Sequence, residues 1–291
     1  MVIMYEKFGQ LANRLFLFSH FLANALENNY RLTNLCFTEF DQYFEWNASE
    51  KTRALVTHKI SPNSFLNKFS SLLLRVLFKV VGLLVKSSAV HRVVSIKENY
   101  DKKGVNFKLA DPGWIEAVKG AKFTLVKGWG FRDNASFIKH AAEIRNCFTP
   151  LAAYRSKPDN LVSQLRQGYD VLIGVHIRRG DYFDFQGGCF YYSDHEYLAY
   201  MKQVRDLVPL KKTAFIICSD EAVVFEEKDL NIFKGPGHFI EDLYILSRMD
   251  YIIGPPSTFS MWASFYGQVP LGILHEKEGF LPLDTFRVVE N

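Results

Sequence analysis

The sequence predicts an α/β protein built from two doubly wound domains. A strand, a glycine turn and an amphipathic helix open the chain, and strands and helices then alternate through both halves. A polar, proline-containing stretch, Tyr154 to Asn160, falls between the halves and reads as a linker. The expected domains are therefore residues 1–155 and 156–291, with ligands at the C-terminal strand ends, in a cleft between them.

Val2 to Tyr5 reads as the first strand and Gly9 as the turn. Leu11, Leu15, Phe18, Leu22 and Leu26 recur at helical spacing, which predicts a helix over 11–28. Residues 31–61 are weakly patterned, whereas 64–86 are strongly helical in pattern. Phe123 to Lys127 is a predicted strand, followed by Gly128-Trp129-Gly130 and a helix from Ala135 to Phe148 that Pro150 ends. In the second half, Val171 to Ile177 and Thr213 to Cys218 are apolar strands. Between them, Ser193-Asp-His-Glu196 is a capping box that starts a helix running to about Val208. A helix from Ile240 to Met249, a strand from Tyr251 to Gly254, a helix from Ser257 to Gly267 and a strand from Pro270 to Leu274 complete the pattern.

At 48% hydrophobic and 23% charged, the 291 residues suit a globular chain with a substantial core. The 26 Phe and 14 Tyr serve a core as readily as a sugar site. Cys36, Cys147, Cys189 and Cys218 are too widely spaced for a zinc pattern and read as free buried thiols. The N-terminus lacks the features of a signal peptide and no apolar run reaches the ~20 residues of a membrane span. The expectation is a cytoplasmic protein, complete at its N-terminus and peripheral on the inner face of the cytoplasmic membrane.

Four segments carry candidate chemistry. His176-Ile-Arg178-Arg179-Gly-Asp181-Tyr182 follows an apolar strand, whose end has no structural use for unpaired charge. Arginine offers a rigid fork of donors to phosphate oxygens. Neighbouring arginines on a strand point to opposite faces, so one reaches a ligand while the other pairs with an acid such as Asp181 and holds the loop. Gly254-Pro-Pro-Ser257-Thr258-Phe259-Ser260 places hydroxyls and free N–H groups at a helix start, a natural anion site beyond simple capping by Ser257. Glu241-Asp242 opens another helix, where a carboxylate could accept from a guanine edge or only favour the helix dipole. Gly9-Gln-Leu-Ala-Asn13-Arg14 would face the cleft from the first domain. No D-x-D, P-loop, G-x-G-x-x-G or metal-ligand spacing is present, so a diphosphate would be neutralised by arginine and helix dipole.

In this order, the segments resemble glycosyltransferase family 11, the α-1,2-fucosyltransferases. The H-x-R-R-G-D-Y of 176–182 and the S-T-F-S-x-W of 257–262 are the specific matches. Gly9 to Asn13, Gly128 to Phe131, Ser219-Asp220-Glu221 and Asp242 to Asp250 support them. The resemblance implies a GT-B arrangement of two Rossmann-like domains, the first on the acceptor side and the second binding the donor. It implies GDP-fucose as donor, no metal or other cofactor, and an inverted α-fucoside as product. Arg178 would bind the β-phosphate, with His176 beside the donor and Asp181 among the catalytic groups. Asp242 would face guanine, Asp220 would contact the donor, Ser257, Thr258 and Phe259 would line the diphosphate, and Gly9 and Asn13 would also bind the donor. The acceptor class is an oligosaccharide or lipid-linked glycan, with a galactose-type residue of a bacterial surface oligosaccharide as target. Asp181, His195 and Glu196 are the candidate bases, with Glu196 the better fit to the capping box. A donor carrying another sugar, or a silent GDP-sugar binder, stands as the alternative.

The net charge of +4 is concentrated: Pro62 to Val94 holds Lys68, Arg75, Lys79, Lys86 and Arg92 and no acid. Lys68, Arg75, Lys79 and Lys86 fall within about 40° of one another on a helix otherwise rich in Leu, Val and Phe. That pattern suits either a core helix with one wet edge or, the preferred reading, a helix on an anionic membrane surface. Nucleic acid is excluded as a partner, because the cations interleave with Leu and Val and no recognition motif is present.

Overall fold

The computed structural model describes residues 1–84, 93–97, 107–225, 227–277 and 279–290, and divides into two compact units, Met1–Thr149 with the C-terminal tip, and Pro150–Val289. The expected end of the 64–86 helix, with Lys86, lies outside the described residues.

The first unit comprises β1 (Val2–Met4), α1 (Leu11–Asn28), β2 (Leu32–Asn34), α2 (Glu50–Leu55), β3 (Val56–Thr57), α3 (Ser64–Leu84), β4 (Val93–Lys97), β5 (Phe107–Lys108), α4 (Pro112–Gly120), β6 (Phe123–Lys127), β7 (Phe131–Arg132), α5 (Asn134–Lys139) and α6 (Ala141–Cys147). Its parallel sheet runs β3-β2-β1-β6-β4, with β5 and β7 as a separate ribbon. The predicted α1 forms with the predicted bounds and ends at Asn29, whose positive φ of 55° closes the last turn. Its buried Asn24 is paired: it donates to Asp133 at 2.7 Å and accepts from Tyr30 and Trp114 at 2.7 and 3.0 Å. Phenylalanines fill the core beside it, with Phe148 5.5 Å from both Phe18 and Phe37. The predicted 135–148 helix is broken at His140 into α5 and α6.

The second unit comprises α7 (Ala152–Leu165), β8 (Val171–Ile177), α8 (Asp194–Asp206), β9 (Thr213–Ser219), β10 (Asn231–Lys234), α9 (Phe239–Leu246), β11 (Tyr251–Gly254), α10 (Thr258–Gly267) and β12 (Leu271–Ile273). Helix α7 occupies the stretch read as a linker, with Pro158 inside it. A proline interior to a helix loses one backbone hydrogen bond. Packing offsets the loss, since Pro158, Val162 and Leu165 are buried, and Tyr244 of α9 donates to Asp159 at 3.1 Å. The capping box forms as predicted: the Ser193 N–H donates to Glu196 at 2.6 Å and the Glu196 N–H to Ser193 Oγ at 3.3 Å. Of the cysteines, Cys36, Cys147 and Cys218 are buried, but Cys189 is exposed, in the loop after β8.

The five strands are all parallel in the order β10-β9-β8-β11-β12. From β8 the chain first builds outward through β9 and β10, then returns to β8's other side for β11 and β12. The direction reverses between β8 and β11, so their C-terminal ends open a crevice that no crossover covers.

Candidate functional site

The crevice at the switch point of the second unit collects two of the four sequence segments. Residues 176–182 leave β8 on one side and residues 254–260 leave β11 on the other. Gly254 permits their approach, since a Cβ there would stand 2.8 Å from the carbonyl oxygen of His176. The Tyr182 hydroxyl donates to the carbonyl of Pro256 at 2.6 Å and ties the two loops together. The rings of His176 and Phe259 lie 5.1 Å apart across the same gap.

After Ile177 the chain turns into a 3-10 helix over Gly180–Phe183, and this turn decides where the arginines go. Arg178 reaches Asp181, three residues on, at 2.8 Å and Asp220 at 3.2 Å. Arg179 turns away to Asp194 at the start of α8. One arginine therefore faces the crevice and the other locks the loop, but the partners differ from the expectation. Asp181 pairs with the crevice-facing arginine, because the 3-10 turn brings residues i and i+3 together. Asp220, at the end of β9, accepts the Arg179 N–H at 3.0 Å while holding Arg178 with its other oxygen.

His176 is buried and its Nδ1 has no hydrogen-bond partner among the described residues. Burial, aided by the charge of Arg178, lowers its pKa to about 3, so the imidazole is neutral at physiological pH. Ser257 caps α10, accepting the Phe259 N–H at 3.3 Å, and Ser260 donates to the Ser257 carbonyl at 3.1 Å. The first turn of α10 carries no acid, so its positive dipole end is left uncompensated by its own sequence.

Beyond β9 lies a cavity of about 280 Å³, bounded by Ile217, Ser219, Phe225, Phe233, Gly235 and Asp242. Ser219 in its lining precedes Asp220, the partner of Arg178. Asp242 is buried, accepts the Gly237 N–H at 2.8 Å, and has its pKa raised to about 6 by burial. Gly235 lets the loop pass close over β9, where a Cβ would meet the Ile217 carbonyl at 2.7 Å. The apolar walls and the single buried carboxylate suit a flat base with N–H donors on one edge.

Gly9 and Asn13 stand in the first unit, at the C-terminal end of β1. Gly9 has a φ of 59°, and the Asn13 amide occupies the space where a Cβ would be. Arg14 braces this loop, donating to the Gly9 carbonyl at 3.0 Å and pairing with Glu39 at 2.5 Å. His195 is exposed on α8, while Glu196 is held in the capping box. Among the described residues, no group of three or more His, Cys, Asp or Glu side chains is placed to hold a metal ion.

Sequence reasoning gave no separate role to Tyr182, Asp194, Phe225, Phe233 or Gly235. Strand β10, which carries Phe233 and positions Gly235, was not predicted, because Asn231–Lys234 is a short edge strand without a buried face of its own. A turn signal was visible in Gly235-Pro236-Gly237.

The chain is similar to known proteins in part of its sequence and in its fold. The model of glycosyl transferase family 11 matches residues 135–269, which include β8, α9 and α10. An Escherichia coli alpha-1,2-colitosyltransferase is 26% identical over 182 residues, 55% of this chain and 58% of that protein. The matched region thus spans little more than half the length of that relative. Arabidopsis thaliana FUT1, solved with GDP, superposes with a TM-score of 0.60 at 15% identity, covering 98% of this chain and 72% of that one. POFUT1 in complex with GDP gives 0.60 at 12% identity (94% and 98% covered). Fucosyltransferase NodZ from Bradyrhizobium gives 0.53 at 16% identity, with 97% of each chain covered. The fold is accordingly the α/β GT-B class, with two Rossmann-like units. The crevice between β8 and β11 lies inside residues 135–269, the part of this chain that the glycosyl transferase family 11 model matches.

Proposed function

We propose that the protein is an inverting, metal-independent fucosyltransferase that moves L-fucose from GDP-fucose to a hydroxyl of a glycan. The observation that carries this reading is the pairing of Arg178 with the start of α10 on opposite sides of one crevice, joined by Tyr182 and Pro256. The diphosphate lies between them, gripped by the guanidinium and by the N–H groups of the first turn, with Ser257, Thr258 and Phe259 around it. The base enters the cavity beyond β9 and donates its N–H and amino groups to Asp242. Residues 150–289 thereby bind the donor, and residues 1–149 serve the acceptor.

The reaction is a single displacement. The acceptor oxygen forms a bond to the anomeric carbon as the bond from that carbon to the β-phosphate oxygen breaks. The electron pair leaves on GDP, and the configuration inverts. Charge grows on the departing phosphate, where Arg178 and the α10 dipole stabilise it without a divalent cation. His176, neutral and buried against Phe259, offers a hydrogen bond rather than a charge. Asp220 positions Arg178 rather than touching the donor itself. The acceptor hydroxyl loses its proton to Asp181 or to solvent.

The product is an α-1,2 linkage to a galactose-type residue of a bacterial surface oligosaccharide, free or lipid-linked. The colitosyltransferase similarity favours a second reading, with GDP-colitose as donor. Colitose is L-fucose without its 3-hydroxyl, so the same diphosphate and base contacts apply. Thermal-shift titration with GDP, UDP, CMP and GDP-fucose in EDTA tests the reading. Stabilisation by GDP and GDP-fucose alone is expected, and preference for UDP or CMP would overturn it.

A further inference from the structure

Helix α3 is amphipathic in the inverse sense of an ordinary surface helix, which turns its apolar stripe toward the core. Its inward side is polar at several places. Asn67 is buried, donates to Asp41 at 2.9 Å and accepts the Ile60 N–H at 2.8 Å. Ser71 is buried one turn on, and Arg75 donates from Nε to the Tyr5 carbonyl at 3.0 Å. Leu74, Phe78 and Val81 pack on Ile3, Tyr5, Leu35 and Leu125.

The outward side is almost wholly apolar. Phe65, Leu66, Phe69, Leu72, Leu73, Val76, Leu77, Val80 and Leu83 are all exposed, Leu73 at 61%. Contiguous apolar surface on this scale marks an interaction face. Exposed Lys68 and Lys79 follow one edge of it, each a turn before an exposed leucine, Leu72 and Leu83.

We infer that the outward face of α3 docks on an anionic lipid bilayer, with the helix lying in the headgroup plane, its leucines and phenylalanines in the acyl boundary and its lysines among the headgroups. Charge selects this occupant. From Pro62 to Val94 the chain carries five cations and no acid, which complements an anionic surface. A second copy docking through the same face would bring lysines together with no carboxylate to meet them. Spanning is excluded as a mode, because no helix among the described residues is long and apolar enough to cross a membrane, and the polar contacts of Asn67 and Arg75 hold α3 to the body of its unit. The inference rests on the first unit alone and does not depend on the proposed activity.

Vesicle flotation of the full chain tests it, with phosphatidylcholine vesicles containing or lacking phosphatidylglycerol. The wild type is expected to float with the anionic vesicles and several-fold less with neutral ones. Leu73→Ser/Leu77→Ser should lower partitioning at least about a hundredfold, since two leucine side chains are lost from the acyl boundary. Lys68→Glu/Lys79→Glu should lower it at least tenfold, at about 1 kcal/mol per cation removed, and abolish the preference for anionic lipid. These positions are exposed, so unchanged circular dichroism and melting temperature are expected for both variants. Equal flotation of wild type and variants would overturn the inference. So would a wild-type dimer in sedimentation that the leucine pair dissociates, without vesicle binding, since that result assigns the face to a second copy.

Discussion

Replacing Arg178 with alanine should nearly stop transfer and leave the fold intact, and the structure fixes both halves of that expectation. The guanidinium pairs with Asp181 and Asp220, and both pairs are partly open to solvent, with Asp181 65% exposed. Such pairs contribute about 0–1 kcal/mol each, so the variant should lose at most ~1–2 kcal/mol of stability. Asp220 keeps its bond to the Arg179 N–H, and Arg179 keeps Asp194, so the loop retains its frame. In the proposed transition state the same guanidinium meets charge growing on a phosphate oxygen. Loss of one such donor costs about 2.7–4 kcal/mol, or roughly 10²–10³ in kcat. Radiolabelled sugar transfer from GDP-fucose, together with denaturant unfolding, measures the two effects separately. Arg178→Lys should recover part of the rate, because charge returns without the bidentate fork. Wild-type turnover in the alanine variant would refute the reasoning. So would a rate loss that merely tracks unfolding, since the arginine would then be structural.

Further expectations concern Asp242, Gly254 and metal. Burial raises the Asp242 pKa from 3.8 to about 6, so between those values the folded protein holds a proton that the unfolded chain releases. Stability assigned to this group should therefore fall as pH rises through about 6, by on the order of 3 kcal/mol, and level off above. GDP affinity should move the other way, weakening toward tenfold per pH unit below about 6; calorimetric titration should find both dependences flattened in Asp242→Asn. Gly254→Ala would set a Cβ 2.8 Å from the His176 carbonyl and should cost about 1–3 kcal/mol by denaturant unfolding, together with weaker GDP binding. Dialysis against EDTA should leave the transfer rate unchanged, whereas an EDTA loss restored by magnesium or manganese would reject the metal-independent mechanism.

Much of this architecture can be read from the residues because the strands of a parallel sheet are buried on both faces. Val171 to Ile177 and Thr213 to Cys218 stand out as apolar runs, and the charged residues after them mark the sheet's C-terminal edge. Capping chemistry is equally local: Ser193 and Glu196 are three residues apart in sequence and meet in the structure. What sequence reading could not supply depends on tertiary partners. Pro158 suggests a break, but packing against α9 overrides the local cost. Strand β10 lies at a sheet edge and lacks a hydrophobic signature. The pairing of Arg179 with Asp194 joins residues fifteen apart, and that of Arg178 with Asp220 joins residues on separate strands. Alternation along a strand predicts opposite faces for the two arginines but cannot choose their acids. Helix α3 was legible as a helix and as an apolar surface with a cationic edge; that its polar residues face inward follows only from where Asp41 and the Tyr5 carbonyl lie.

The most direct measurement is a crystal structure of the protein soaked with GDP. The account predicts density for the diphosphate at the open end of β8 and β11, within hydrogen-bond distance of the Arg178 guanidinium and of N–H groups in the first turn of α10. A nucleotide that contacts only one of these groups, or that binds at another edge of the sheet, would contradict it.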